Sequence, residues 1–154
     1  MHYDADGPVE TPKLSARALA YDEKPEAENS TTIAMIVENT GSSAINGFES
    51  RYYFRDESGA RAVDVYTNQF ASQSVVDAGG GLYYVSFMYG NIILNPGEKS
   101  DFGSGVKFSL HTKDWQGSFD DGKDPSYHGL AHETFVEADS IVVLDKLGNL
   151  LWGS

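Results

Sequence analysis

Thr32-Ile33-Ala34-Met35-Ile36-Val37-Glu38-Asn39-Thr40-Gly41-Ser42-Ser43 is the stretch from which the fold is read. Ile33, Met35 and Val37 point one way and Thr32, Ala34, Ile36 and Glu38 the other. That is the two-residue period of a strand with at least one buried face. Thr40-Gly41-Ser42-Ser43 then supplies turn chemistry. The same grammar repeats outward. Residues 48–54 form a second strand full of aromatics, and Asp56-Glu57-Ser58-Gly59 turns the chain back. Residues 63–70 and 82–89 are rich in β-branched and aromatic residues, and Gly79-Gly80-Gly81 lies between them. Asn95-Pro96-Gly97-Glu98 is a strong turn, and residues 106–110 resume a strand. Residues 134–144 alternate again, and Asp145-Lys146-Leu147-Gly148-Asn149 makes a hairpin into residues 150–152. Upstream, residues 14–21 start a strand that a charged loop over 22–29 follows. No window carries a helical period with caps over three turns. Eight or nine short strands with Gly and Pro between them predict an all-β chain, an antiparallel β-sandwich.

At 154 residues the chain has room for one domain and one core. Residues 1–13 hold Pro8 and Pro12 with few large apolar groups and read as a tail or linker, leaving 14–154 for the sandwich. Nothing approaches the roughly 18 consecutive apolar residues of a membrane span, so no membrane insertion is expected. The N-terminus lacks the basic and apolar regions of a signal peptide. Cysteine is absent, which excludes a disulfide framework. A formal charge of -12 argues against nucleic acid or an anionic membrane as partner, because either wants a basic face. Part of the acid is gathered in Asp114, Asp120, Asp121 and Asp124, where a cation is the sharper reading.

Four motifs narrow the fold further. Val37-Glu38-Asn39-Thr40-Gly41-Ser42-Ser43-Ala44-Ile45, Arg51-Tyr52-Tyr53-Phe54, Lys113-Asp114-Trp115 and Leu147-Gly148-Asn149-Leu150-Leu151-Trp152-Gly153 follow one another at compatible spacing. In that order they resemble the family-3 carbohydrate-binding modules of cellulose-degrading bacteria, from about Thr31 to the end. The resemblance implies a jelly-roll-like sandwich, a non-catalytic module docking on cellulose or a related β-glucan, and a bound calcium ion. It also implies an extracellular setting within a longer polypeptide, beside a catalytic domain.

Calcium takes six to eight hard oxygens gathered from loops that bend around it. Registered on the family's motifs, the implied ligands are Arg55 and Glu57 from the loop after the aromatic strand, and Asp120, Lys123 and Asp124 from the loop after Trp115. Arg55 and Lys123 bear no lone pair on their side chains and could offer only backbone carbonyls. Asp56 competes with Glu57 for one role.

A flat cellulose face presents C–H groups rimmed by hydroxyls, and exposed aromatic rings in one plane grip it, with polar groups for the rims. The resemblance implies Trp115, beside Asp114, as the sugar platform. A family arginine six residues before the tryptophan is Ser109 here, and an Asp-His pair falls on Asn68 and Gln69. The segment 71–81, expected as a shortened loop, carries no aromatic where the family has a tyrosine. Tyr66, His111 and Tyr89 are the candidate substitutes. Trp152 is expected in the core. Arg51 and Tyr53 match a second, shallow groove on the opposite sheet, where Leu82 and Tyr84 depart from the family. No zinc-helix spacing, phosphate loop or nucleotide fingerprint occurs, so catalysis is not expected.

Overall fold

The alternation read from residues 32–39 belongs to a strand in the middle of one of two packed sheets. The computed structural model describes residues 15–27, 29–56, 61–67, 71–100, 106–115 and 120–153. The tail expected over 1–13 lies outside them. Among the described residues ten strands run β1 (Ala16–Asp22), β2 (Ser30–Asn39), β3 (Ile45–Arg55), β4 (Arg61–Thr67), β5 (Ser72–Gly79), β6 (Leu82–Leu94), β7 (Val106–Thr112), β8 (Val136–Glu137), β9 (Val142–Asp145) and β10 (Leu150–Trp152). Sheet one has the order β4-β7-β2-β1-β8 and sheet two the order β10-β9-β3-β6-β5. Neighbouring strands in both sheets pair antiparallel.

The count exceeds the expected eight or nine for two reasons. The segment read as a shortened loop over 71–81 contains β5, an edge strand whose residues are mostly exposed, so it lacks the apolar alternation that reveals inner strands. The stretch 134–144, read as one strand, breaks at a turn where the amide of Ile141 donates to the carbonyl of Ala138. β8 before that turn pairs with β1, and β9 after it pairs with β3, so the chain changes sheets there.

Between the sheets the core is aromatic. Phe108 of sheet one meets Tyr52 edge-on at 5.3 Å and Phe87 at 5.4 Å, both from sheet two. Phe48 stacks on Tyr89 at 4.4 Å. Asn39, fully buried, explains the first motif: its side-chain amide donates to the carbonyls of Ser43 and Leu94, both at 2.9 Å, and its oxygen accepts from the amide of Gly41. One side chain thus ties the turn after β2 to the end of β6. The closing Trp152-Gly153 has a similar reason. The indole of Trp152 donates to the carbonyl of Ala138 at 2.9 Å, and Gly153 has φ +86° with the carbonyl oxygen of Ile141 only 2.2 Å from where a Cβ would sit. Trp152, expected in the core, packs half-buried against it.

Candidate functional site

Strand β7 turns Val106, Phe108 and Leu110 inward, so Lys107, Ser109 and His111 face out of sheet one. Its neighbours present Asp64 opposite Ser109 on β4, and Thr32 opposite Ser109 on β2. These side chains form a connected row. Tyr66 donates its hydroxyl to Ser109 at 3.0 Å, and Ser109 shares a 2.7 Å hydrogen bond with Thr32. His111 places Nε2 3.1 Å from Asp64 and Nδ1 2.6 Å from the carbonyl of Thr112, so both ring nitrogens face acceptors.

Trp115 lies on top of this row. Its ring is stacked on that of His111, with centroids 3.8 Å apart and planes 6° from parallel. The imidazole covers one indole face, and 44% of the residue remains exposed. The tight turn that lays it there puts Trp115 at φ +60°, a left-handed conformation unusual for a bulky side chain. Two hydrogen bonds hold it: the Trp115 amide donates to the Thr112 carbonyl at 3.0 Å, and Asn29 Nδ2 donates to the Trp115 carbonyl at 2.9 Å. The Asn29 carbonyl accepts from the Thr112 amide, so Asn29 grips both ends of the turn. Backbone strain of this kind collects at functional positions.

Of the expected sugar contacts, Trp115, His111, Ser109 and Tyr66 come together on this face, with Asp114 exposed in the same turn as Trp115. Tyr66 is 53% exposed, whereas Ser109 and His111 are buried beneath the two aromatics. Ser109 and His111 are two residues apart on β7, so Tyr66 and Trp115 stand over points roughly 7 Å apart. Asn68 and Gln69 lie outside the described residues. Tyr89 is no substitute: β6 alternation turns it inward with Val85 and Phe87, and it is buried against Phe48. Sequence reasoning missed Asn29 and Asp64. A lone Asn at a strand entrance gives no signal, and Asp64 becomes legible only once β4 is registered on β7.

The opposite face, on sheet two, carries Arg51 with its guanidinium 4.5 Å over the Tyr84 ring. Arg51 also bonds both oxygens of Glu49, at 2.9 and 3.1 Å, and Ser86 donates to Glu49 at 2.6 Å. Tyr53 packs beside Tyr84 at 5.1 Å. The residues expected in a shallow groove are therefore neighbours, and Glu49 supplies a carboxylate there.

Of the expected metal ligands, Arg55 and Asp124 come together, but around a different cation. Asp120 folds into a short 3₁₀ turn over Asp121–Lys123 and caps it, accepting from the amide of Gly122 at 2.9 Å. A second 3₁₀ turn, Pro125–Tyr127, follows, and Ser126 accepts from the amide of Tyr53. Between the turns, Asp124 accepts the amide of Arg55 at 2.9 Å. Arg61, the first residue of β4, bonds both oxygens of Asp124, at 2.8 and 2.9 Å, and the carbonyl of Arg55 at 2.8 Å. Burial pushes the Asp124 carboxyl above its ordinary value, against the pull of the Arg61 guanidinium. Burial likewise raises Asp121, against the hydrogen bond it accepts from Thr31. Asp120 and Lys123 are exposed, and Glu57 lies outside the described residues. Among the described residues no three His, Asp or Glu side chains gather as a metal shell. As arranged, these donors do not fit a resident calcium, because the carboxylate and carbonyl that would lead its shell already face a guanidinium. Arg61 escaped sequence reasoning, which weighed only groups able to be ligands.

Comparison with known proteins agrees with the sheet architecture. By sequence, no curated protein matches the chain. Among solved structures, the carbohydrate-binding module CBM3b from the cellulosomal cellobiohydrolase 9A of Clostridium thermocellum is similar with a TM-score of 0.73 and 17% identity, covering 92% of this chain and 97% of that one. A family 3b carbohydrate-binding module from the biomass sensoring system of Clostridium clariflavum gives 0.72 and 20%, covering 94% and 98%. Endoglucanase CelQ from Clostridium thermocellum, solved with cellotriose, gives 0.74 and 17%, with 99% of this chain matched to 28% of that enzyme. At these identities the likeness carries the fold. The family follows from sequence, since residues 17–153 match the profile of the cellulose binding domain. The chain belongs to the family-3 cellulose binding domains.

Proposed function

We propose that the chain is a non-catalytic module that docks a larger secreted protein on cellulose or a related β-glucan, through the outer face of sheet one centred on Trp115. The observation that carries this reading is the parallel stack of Trp115 on His111, which holds the indole in one orientation while much of it stays exposed. A ring so held lands on a sugar face with little rotamer freedom left to lose. Tyr66 offers a second exposed ring on the same sheet, and Asp114 and Asp64 offer acceptors for rim hydroxyls. A catalytic neighbour and an extracellular setting are part of the same proposal, by analogy with CelQ and the cellulosomal modules.

Pull-down on microcrystalline and amorphous cellulose tests it. Trp115→Ala should remove most retention while the fold persists, since losing an aromatic anchor costs roughly 2 kcal/mol or more, about thirtyfold in affinity. A second reading, a structural or accessory domain packing against a catalytic or cell-surface partner, is favoured by the burial of Ser109 and His111, which spend their polar groups within the protein. Equal retention of parent and variant selects it.

A further inference from the structure

The expected calcium site and the observed guanidinium coincide on the same two oxygen sources, Asp124 and the carbonyl of Arg55. The topology gives that coincidence a purpose. β3 belongs to sheet two and β4 to sheet one, so the connection after Arg55 crosses between sheets. The loop after β7 reaches Asp124 from sheet one and bonds back to β3 through the Arg55 and Tyr53 amides. A cation at this crossing staples one end of the sandwich. Arg61 is placed for that by the β4 register, opposite Thr112, which turns its side chain inward. The side chains of Arg61 and Asp124 are 5% and 0% exposed, and the guanidinium also lies 5.1 Å over the Phe54 ring. A planar fork meeting a carboxylate with two parallel bonds is the geometry in which arginine outperforms a point charge.

We infer that Arg61 is a built-in cation that takes the place of calcium in this chain, stapling the end of β3 to the loop after β7 and making the fold independent of the metal. The guanidinium brings one positive charge and directed donors to oxygens that a divalent ion would otherwise gather. Its affinity does not depend on the surrounding calcium concentration, because it is tethered to the chain.

The test is thermal unfolding of the full chain in millimolar calcium and in chelator. The parent curves should superimpose. Arg61→Ala should melt on the order of 10 °C lower in chelator, as expected when a buried pair loses one partner. It should regain several degrees in calcium, because the vacated oxygens then accept an ion that binds the folded state. Arg61→Lys, which keeps charge but loses the fork, should melt between the two, and it carries the comparison if the alanine variant does not fold. A parent that gains several degrees with calcium overturns the inference, as does Arg61→Lys melting with the parent. An Arg61→Ala protein that melts low and gains nothing from calcium makes Arg61 an ordinary ion-pair partner and overturns the claim that it holds an ion's place. Cellulose retention of the parent, measured separately, reports on the docking face and is unaffected by either result.

Discussion

Asn29→Ala separates the position of Trp115 from its presence. The indole stays, but the carbonyl of Trp115 loses the 2.9 Å hydrogen bond that fixes its turn. That bond is worth about 1 kcal/mol, and it opposes a left-handed backbone conformation costing roughly 1–2 kcal/mol for a non-glycine residue. Without it the turn has alternatives of similar energy, in which the indole leaves His111. If the docking-ready population falls by the factor that about 1 kcal/mol sets, apparent affinity weakens about fivefold. That is well short of the loss from Trp115→Ala. The backbone bond from the Thr112 amide to the Asn29 carbonyl survives the substitution, so the strand ends should stay paired. Melting should drop by only about 2–4 °C. Asn29→Asp, the same shape without the amide donor, should bind no better than the alanine variant, because its carboxylate faces a carbonyl. Depletion isotherms on insoluble cellulose give the affinities, and circular-dichroism melts give the stability. Parent-like binding by Asn29→Ala would show that the turn holds itself and refute the positioning argument.

Two further outcomes test the fold. Asn39→Ala takes the side-chain amide away from the Ser43 carbonyl and from the carbonyl of buried Leu94, while the Gly41 amide keeps its bond to the Ser15 carbonyl; a loss on the order of 2 kcal/mol, about 6 °C in a thermal melt, is expected. Because burial raises the Asp121 carboxyl above its ordinary 3.8, the folded chain holds that proton more tightly than the unfolded one. The associated stability is full below 3.8 and is lost as pH rises through the raised value. Asp121→Asn should therefore melt slightly higher than the parent at neutral pH and show a flatter dependence just above that range, as followed by melts in a pH series.

What could be read from sequence was what periodicity and turn chemistry encode. β2, β3, β6 and β7 alternate because one face of each is buried against the other sheet, and the glycine and Asn-Pro-Gly turns between them are local signals. The β5 segment reads as a loop in sequence because an edge strand exposed on both faces has no period to show. The break between β8 and β9 was hidden because alternating residues continue across the turn. At the candidate site, Trp115 was legible as a motif, and Tyr66, Ser109 and His111 as possible neighbours. Their order was not, since it depends on the pairing of β4 with β7 and of β7 with β2. The same holds for Arg61. Its partners lie six residues before it and 63 residues after it, and only the crossing between sheets brings them together.

The strand ends described above also bear on how many copies can share one surface. A module that lands on a solid is crowded sideways against others, where any open sheet edge invites strand pairing. All four edges here are blunted. β8 is two residues long and β10 three, and the ladders of β4, β5 and β10 slip register between Val65 and Thr67, Asp77 and Gly79, and Leu150 and Trp152. Such irregularities bend or break the row of free amides and carbonyls. Short or interrupted edges of this kind work against neighbours in a dense layer zipping together into a fused β-film.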